Sequence, residues 1–273
     1  MHTTNKKLLA AALVSVLPMT ALAGHYVPGV EAMRASVVPG PGVYYKGYAV
    51  HYGADEHSAL PPNSEVEVNA LANRVIWVTD HELLGGDLVF ETIIPIVRTD
   101  LSIAGGAVES EEWGLGDIML GSVLGWHGER WDAVGGVGVW TETGRDDEPA
   151  DPGLGYTETM FTLGGNVYLN QARDVAFSAL SRFSIADDSD IEDELLVEWG
   201  LSRQLPSGPE IGLVGYDRWQ LEGGEQEKHA VGAEVGYFWP QAMSGLNVAL
   251  YNEYDADEDF EGYLLRATFI KVF

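Results

Sequence analysis

The sequence predicts an all-β protein: a transmembrane antiparallel up-and-down β-barrel of about twelve strands. Three observations lead there. Segments of strand length alternate apolar and polar residues with period two. Tight turns alternate with longer acidic loops between them. The last segment carries one apolar face and ends on Phe273. Composition narrows the remainder. The chain has 273 residues, with Asp+Glu 42, Lys+Arg 15 and a formal net charge of −27. That balance argues against nucleic acid as a partner, because phosphate backbones need clustered Lys and Arg. With no Cys, disulfides, thiolate catalysis and Cys-ligated metals are excluded. A hydrophobic share of 46% argues against disorder.

Residues 1–23 read as a secretory signal peptide. Lys6 and Lys7 form a basic start, Leu8 to Met19 a short apolar run, and Ala21-Leu22-Ala23 a small-x-small cleavage site before Gly24. The run is too short for an anchor, and no later stretch approaches the ~18–20 apolar residues of a transmembrane helix. Residues 24–42 carry Pro28, Gly29, Pro39, Gly40, Pro41 and Gly42, which prevent a long helix or central strand. Two readings stand for this segment. It is either a loose periplasmic leader or an ordered plug in the lumen. His25, Tyr26, Glu31 and Arg34 are its candidate plug residues, with Glu31 and Arg34 pairing to the wall.

Residues 43–273 are the barrel, with strands at 43–52, 65–79, 87–98, 114–127, 131–141, 156–170, 174–185, 192–205, 210–221, 228–239, 246–254 and 260–273. The period is clearest in 156–170, where Thr157, Thr159, Phe161, Leu163, Val167 and Leu169 share one face and Glu158, Asn166 and Asn170 the other. An even strand number puts both termini at the short-turn, periplasmic end. Lipid requires closure, because no sheet edge can stay unpaired in hydrocarbon. Trp113, Trp126, Trp131, Trp140, Trp219, Trp239 and Tyr254 lie near strand ends and suit interfacial girdles.

If apolar faces meet lipid, the polar faces line the lumen. The candidates are Glu67, Asn69, Asn73, Glu91, Asp117, Glu158, Asn166, Arg182, Glu194, Glu198, Arg218, Glu234, Glu253 and Arg266. Two readings stand for them: a pairing network that holds the barrel's shape, and an acidic passage that disfavours anions.

Several short motifs carry a family resemblance. They are Gly-His-Tyr-Val-Pro-Gly-Val-Glu-Ala-Met at 24–33 and Val-Pro-Gly-Pro-Gly-Val-Tyr-Tyr at 38–45. Gly114-Leu115-Gly116-Asp117-Ile118 leading to Leu124-Gly125-Trp126-His127, and Gly155-Tyr156 with Gly164-Gly165-Asn166, continue them. Together they resemble the MetA-pathway of phenol degradation family of outer-membrane proteins. The resemblance implies an outer-membrane barrel that takes up hydrophobic compounds, and it brings no catalytic residues.

Chemistry motifs are weak. No Ser, His and Asn set suits a hydrolase on the barrel surface. Asp255-Ala-Asp-Glu-Asp259 opens like a calcium loop, but Phe260 stands where Gly is needed and Arg266 where the bidentate Glu belongs. Gly135-Gly136-Val-Gly138 precedes no helix pattern and is not a phosphate loop. The expectation is therefore a non-enzymatic outer-membrane channel for passive uptake of small hydrophobic or aromatic compounds. It has no cofactor and no bound metal. Its partners are outer-membrane lipid, lipopolysaccharide, the barrel-assembly machinery and the small-molecule substrate. The alternatives are a structural or surface-binding barrel without transport, and a secreted soluble β-protein.

Overall fold

The structure is a computed structural model and describes residues 24–221 and 226–273. The signal-peptide segment 1–23 lies outside the described residues. Thirteen strands follow in order: β1 (Gly42–His57), β2 (Glu65–Leu83), β3 (Gly86–Ile103), β4 (Val108–Leu115), β5 (Ile118–His127), β6 (Trp131–Thr141), β7 (Glu158–Tyr168), β8 (Val175–Ala186), β9 (Glu194–Gln204), β10 (Glu210–Gln220), β11 (Glu227–Trp239), β12 (Ser244–Asp257) and β13 (Phe260–Val272). A 3₁₀ turn, Pro240–Ala242, joins β11 to β12.

Every neighbouring pair is antiparallel, and β1 pairs with both β2 and β13, so the sheet closes on itself. β4 and β5 both lie against β3, one on residues 96–103 and the other on 87–93. They make one stave in two pieces, and the barrel has twelve staves. The sequence reads that stave as a single strand, 114–127. The ladder is interrupted at Gly116 and Asp117 because another chain segment presses on the wall there. A methyl on Gly116 would sit 3.1 Å from both the Pro152 carbonyl oxygen and Pro95 Cγ. Pro95, opposite, has no N–H to give to the ladder, though its carbonyl accepts from Gly116 N–H at 3.0 Å.

The strands at the long-loop end run further than their alternation reaches. β1 continues to His57, β3 to Ile103, and β12 to Asp257. The loop expected at 99–113 shrinks to a turn at 104–107, where Ala104, Gly105 and Gly106 take positive φ. Beyond the hydrocarbon a strand needs no apolar face, so alternation fades before backbone pairing does.

The outer surface carries a belt of exposed apolar side chains, among them Leu71, Phe90, Leu120, Leu163, Leu213, Leu250 and Leu265. Trp77, Trp113, Trp131 and Trp239 sit exposed among them. A patch so extended marks contact with lipid. Trp140 departs from the expected girdle: it is 3% exposed and points inward. Among the described residues no helix is long and apolar enough to cross a membrane; the strands supply the lipid-facing surface.

Leu250 and Leu265 face each other across β12 and β13 in the middle of this belt. Leu250→Arg is expected to cost about 2–4 kcal/mol of folding stability in lipid. Reversible urea unfolding in bilayers, followed by tryptophan emission, measures that loss.

Candidate functional site

Residues 24–38, ahead of β1, lie against inward-facing side chains of the barrel wall. Tyr26, Glu31, Ala32 and Ser36 are buried. The wall makes room for them with glycines. Gly29, at φ +79°, passes between Tyr216 and Tyr251, and a methyl there would lie 3.1 Å from each ring. On the wall side, Gly200 meets the Ala32 backbone at 3.0 Å in the same sense.

Polar contacts hold the segment along its length. His25 sits between two carboxylates, Nε2 at 3.1 Å from Asp117 and Nδ1 at 3.3 Å from Glu158. Its ring stacks near Trp140 at 5.6 Å and meets the edge of Tyr156 at 4.7 Å. Both ring nitrogens can donate to carboxylates only as imidazolium. Burial works against that charge, but hydrogen bonds to Asp117 and Glu158 outweigh it, and the His25 pKa is raised. Tyr26 lies under the Arg182 guanidinium at 3.6 Å.

Glu31 is the centre of the second cluster. Its backbone N–H donates to Glu198 at 2.9 Å. Its Oε1 accepts from Lys46 and from Arg74, each at 2.7 Å, and from the Tyr48 hydroxyl at 2.5 Å. Burial opposes the Glu31 charge; Lys46 and Arg74 outweigh it and hold the carboxyl well below the usual carboxylate range. Arg74 also reaches Glu91 at 2.5 Å. Further along, Arg34 donates to Glu210 at 2.6 Å, and Ser36 donates to the Ala179 carbonyl at 2.8 Å.

The remaining inward candidates form a second layer on the wall itself. Arg182 donates to Glu198 at 2.6 Å, and Arg266 lies 2.7 Å from Glu234 while its other amine donates to the Gly29 and Val30 carbonyls. Arg218 pairs with Asp259 at 2.5 Å and lies 3.7 Å from Glu194. Glu253 accepts from the Tyr52 and Tyr216 hydroxyls and lies 3.3 Å from Lys228. Asn166 donates to Asp132 at 3.2 Å. Asp117 accepts from the backbone N–H groups of Thr143, Gly144 and Leu154, each at 2.8 Å, as well as meeting His25. It therefore ties the loop at 142–157 and the N-terminal segment to the broken stave.

Glu67 and Asn73 are not in the lumen, and neither is Asn69. In β2 the inward positions are Val66, Val68, Ala70, Ala72, Arg74, Ile76 and Val78, with Glu67, Asn69 and Asn73 on the outer face. Asn73 bonds the Tyr45 hydroxyl and the Ile94 carbonyl there. The assignment fails because it equates polar with inward, and this part of the lumen is itself apolar. Arg74 and Lys46 go unnoticed for the same reason: each is a lone cation on a face otherwise apolar or aromatic.

Two cavities lie on either side of the Glu31 cluster. The larger, about 420 Å³, is lined by Val50, Val68, Ala70, Ile93 and Val97 of the wall, by Tyr26, Val27 and Val30, and by the loop residues 146–149 and 151–154. The smaller, about 340 Å³, lies nearer the short-turn end against Val37, Val38, Val89, Val134 and Leu180. Arg74 lines both, so one ion-paired layer separates them. Asp146, Asp147, Glu148 and Asp151 rim the larger cavity. Among the described residues no group of three or more His, Asp or Glu side chains is arranged to hold a metal ion.

The family model described as "Putative MetA-pathway of phenol degradation" matches residues 41–269. The chain belongs to this family. No curated protein sequence matches the chain. Among solved structures, the COG4313 outer membrane channel from Pseudomonas putida F1 is similar with a TM-score of 0.78 at 14% identity, covering 89% of this chain and 100% of that one. The CymD monoaromatic hydrocarbon channel gives a TM-score of 0.52 at 8% identity, over 94% and 97%. The β-domain of the Bordetella autotransporter BrkA gives 0.54 at 13%, over 86% and 100%. At these identities the likeness is one of fold, and the fold is that of bacterial outer-membrane barrels. The neighbours are channels and translocator domains.

The raised His25 pKa sets a pH window for the docked segment. The imidazolium contributes fully below the free histidine value near ~6.5 and is lost as pH rises through the higher, folded value. Hydrogen exchange over residues 24–36, corrected for its intrinsic rate, should therefore be slower at pH 6 than at pH 9. His25→Gln should remove most of that difference.

Proposed function

We propose that the protein is an outer-membrane channel for passive uptake of small, uncharged hydrophobic or aromatic molecules, working after removal of residues 1–23. The observation that carries this reading is the largely apolar cavity of about 420 Å³ inside a closed barrel. A polar-solute pore would spend its inward positions on hydrophilic side chains. Here β2 turns Val66, Val68, Ala70 and Ala72 inward and its amides outward. The volume suits a molecule of one or two rings. The fold likeness to channels, one of them titled for monoaromatic hydrocarbons, and the family's description support the same reading.

The sequence of events follows from the site. Acidic side chains at the rim repel anions and leave neutral solutes unaffected. A neutral molecule exchanges water for the apolar wall, a gain of about 25 cal/mol per Å² of apolar surface. To continue toward the short-turn end it must pass the layer where Glu31 meets Lys46, Arg74 and Tyr48. Movement of the 24–41 segment or of the Arg74 side chain opens that layer. No bond is made or broken, and the residues act as barrier and filter. Outer-membrane lipid and lipopolysaccharide surround the barrel in this proposal, and the assembly machinery inserts it.

Liposome swelling with purified protein tests the filter. Neutral monoaromatics such as benzyl alcohol are expected to enter faster than benzoate-like anions of similar size; equal or reversed rates would contradict the acidic-rim filter. Planar-bilayer conductance tests the barrier. Deleting residues 25–41 should raise single-channel conductance, and Arg74→Ala should raise it by a smaller factor, since Lys46 and Tyr48 still hold Glu31.

A further inference from the structure

Removing residues 1–23 does more than release the chain, because it changes the chemistry of one atom inside the lumen. In the uncut chain the nitrogen of Gly24 is an amide, neutral, with one hydrogen to donate. After cleavage behind Ala23 it becomes an α-ammonium with a full charge and three donors. Gly24 is one of the described residues and lies half-buried beside the first residue of β9: a methyl on its Cα would be 3.1 Å from Glu194 Oε2 and 3.2 Å from Oε1. Covalent geometry separates that methyl position from the backbone nitrogen by only about 2.5 Å. The new charge therefore arises beside the Glu194 carboxylate.

Carboxylates outnumber cations on this side. Asp117, Glu158 and Glu194 converge on residues 24 and 25 from the β4–β5 break, β7 and β9. His25 takes one oxygen each from Asp117 and Glu158. Glu158 Oε1 is buried with no hydrogen-bond partner. Arg218, on β10, has its short contact with Asp259 at 2.5 Å, while its Nε stands 3.7 Å from Glu194, beyond hydrogen-bond reach. Lys228, on β11, is engaged by Glu253 and Asp259. Glu194 thus shares the Arg218 guanidinium with Asp259, and a nearer cation stabilises a buried carboxylate held in this way.

We propose that the α-ammonium of Gly24, created by cleavage after Ala23, is the cation that binds Glu194 inside the barrel and anchors the docked N-terminal segment. Docking is thereby coupled to processing: the precursor lacks the charge that the site is built to receive. Glycine at this position is required twice over. In the uncut chain its φ is +97°, where a side chain is strained, and in the cut chain, which has no φ at this residue, a Cβ would still crowd the carboxylate. The inference rests on the leader removal proposed above, and the first step of its test separates the two.

The test uses the protein purified from outer membranes with its own N-terminus, which intact mass fixes. The α-amine is then labelled near neutral pH with an N-hydroxysuccinimide acetate, and the N-terminal peptide is quantified. Labelling is expected to be at least about tenfold slower in the folded barrel than in urea-unfolded protein, because a paired, buried amine reacts only through local opening. Glu194→Gln should restore most of the lost rate. Gly24→Ala should do so without changing the wall, and it carries the test if Glu194→Gln loses the heat-shifted gel migration of a folded barrel. A mature mass that starts anywhere other than Gly24 overturns the proposal through its premise. Equal labelling of folded and unfolded protein, or slow labelling that persists in the folded variants, overturns the pairing itself.

Discussion

Hydrocarbon offers no hydrogen bonds, and that one constraint organises this molecule. Each strand N–H and C=O at membrane depth must find a partner in another strand, so the sheet cannot end. The register between β1 and β13, from Tyr44 opposite Val272 to His57 opposite Phe260, is the seam that satisfies it. Once the ring is closed, side chains have only two destinations. Leucines, valines and aromatics on the outer face meet lipid. The inward side chains share a lumen in which buried charges meet opposite charges.

The interior answers in two ways. Most of it is an ion-paired lattice: Arg182 with Glu198, Arg266 with Glu234, Arg218 with Asp259, and Glu31 with Lys46 and Arg74. Breaking one member of such a pair strands a buried charge, at a cost of about 3–5 kcal/mol. Glu31, with Lys46 and Arg74, and the Arg266 contacts to the Gly29 and Val30 carbonyls tie residues 24–41 into this lattice. The remainder of the lumen is largely apolar, along the inward faces of β1, β2 and β3. Asp117 stands where the two regions meet. One carboxylate collects three backbone N–H groups from the loop at 142–157 and the His25 ring, at the place where the stave itself is broken. Loop, N-terminal segment and wall are thus coupled through a single side chain.

Much of this was legible in the order of residues. Strand number, the rhythm of turns and loops, and the inward position of Glu158, Glu198, Glu234 and Arg266 follow from period two, because lipid filters one face so strictly. Side-chain partners did not follow: nothing in the sequence says that Glu198 would take the amide of Glu31, or that His25 would bridge Asp117 and Glu158. β2 misled for a physical reason. Alternation gives two faces but not their direction, and direction was read from polarity. Glu67, Asn69 and Asn73 are polar yet point outward, because Val66, Val68, Ala70 and Ala72 take the inward positions of this strand. The same inversion hid Arg74. The break at Gly116 was invisible as well, since it depends on Pro152, far along the chain, coming to rest against it.

The central claim is that the apolar chamber walled by Val50, Val68, Ile93 and Val97 receives an uncharged apolar molecule. Crystals of the detergent-purified protein soaked with a neutral brominated monoaromatic test it most directly, through the anomalous signal of bromine. A peak inside the chamber, absent when a brominated benzoate is soaked at the same concentration, is the expected result. Bromine found only on the lipid-facing surface, or equal occupancy by the anion, would contradict the account.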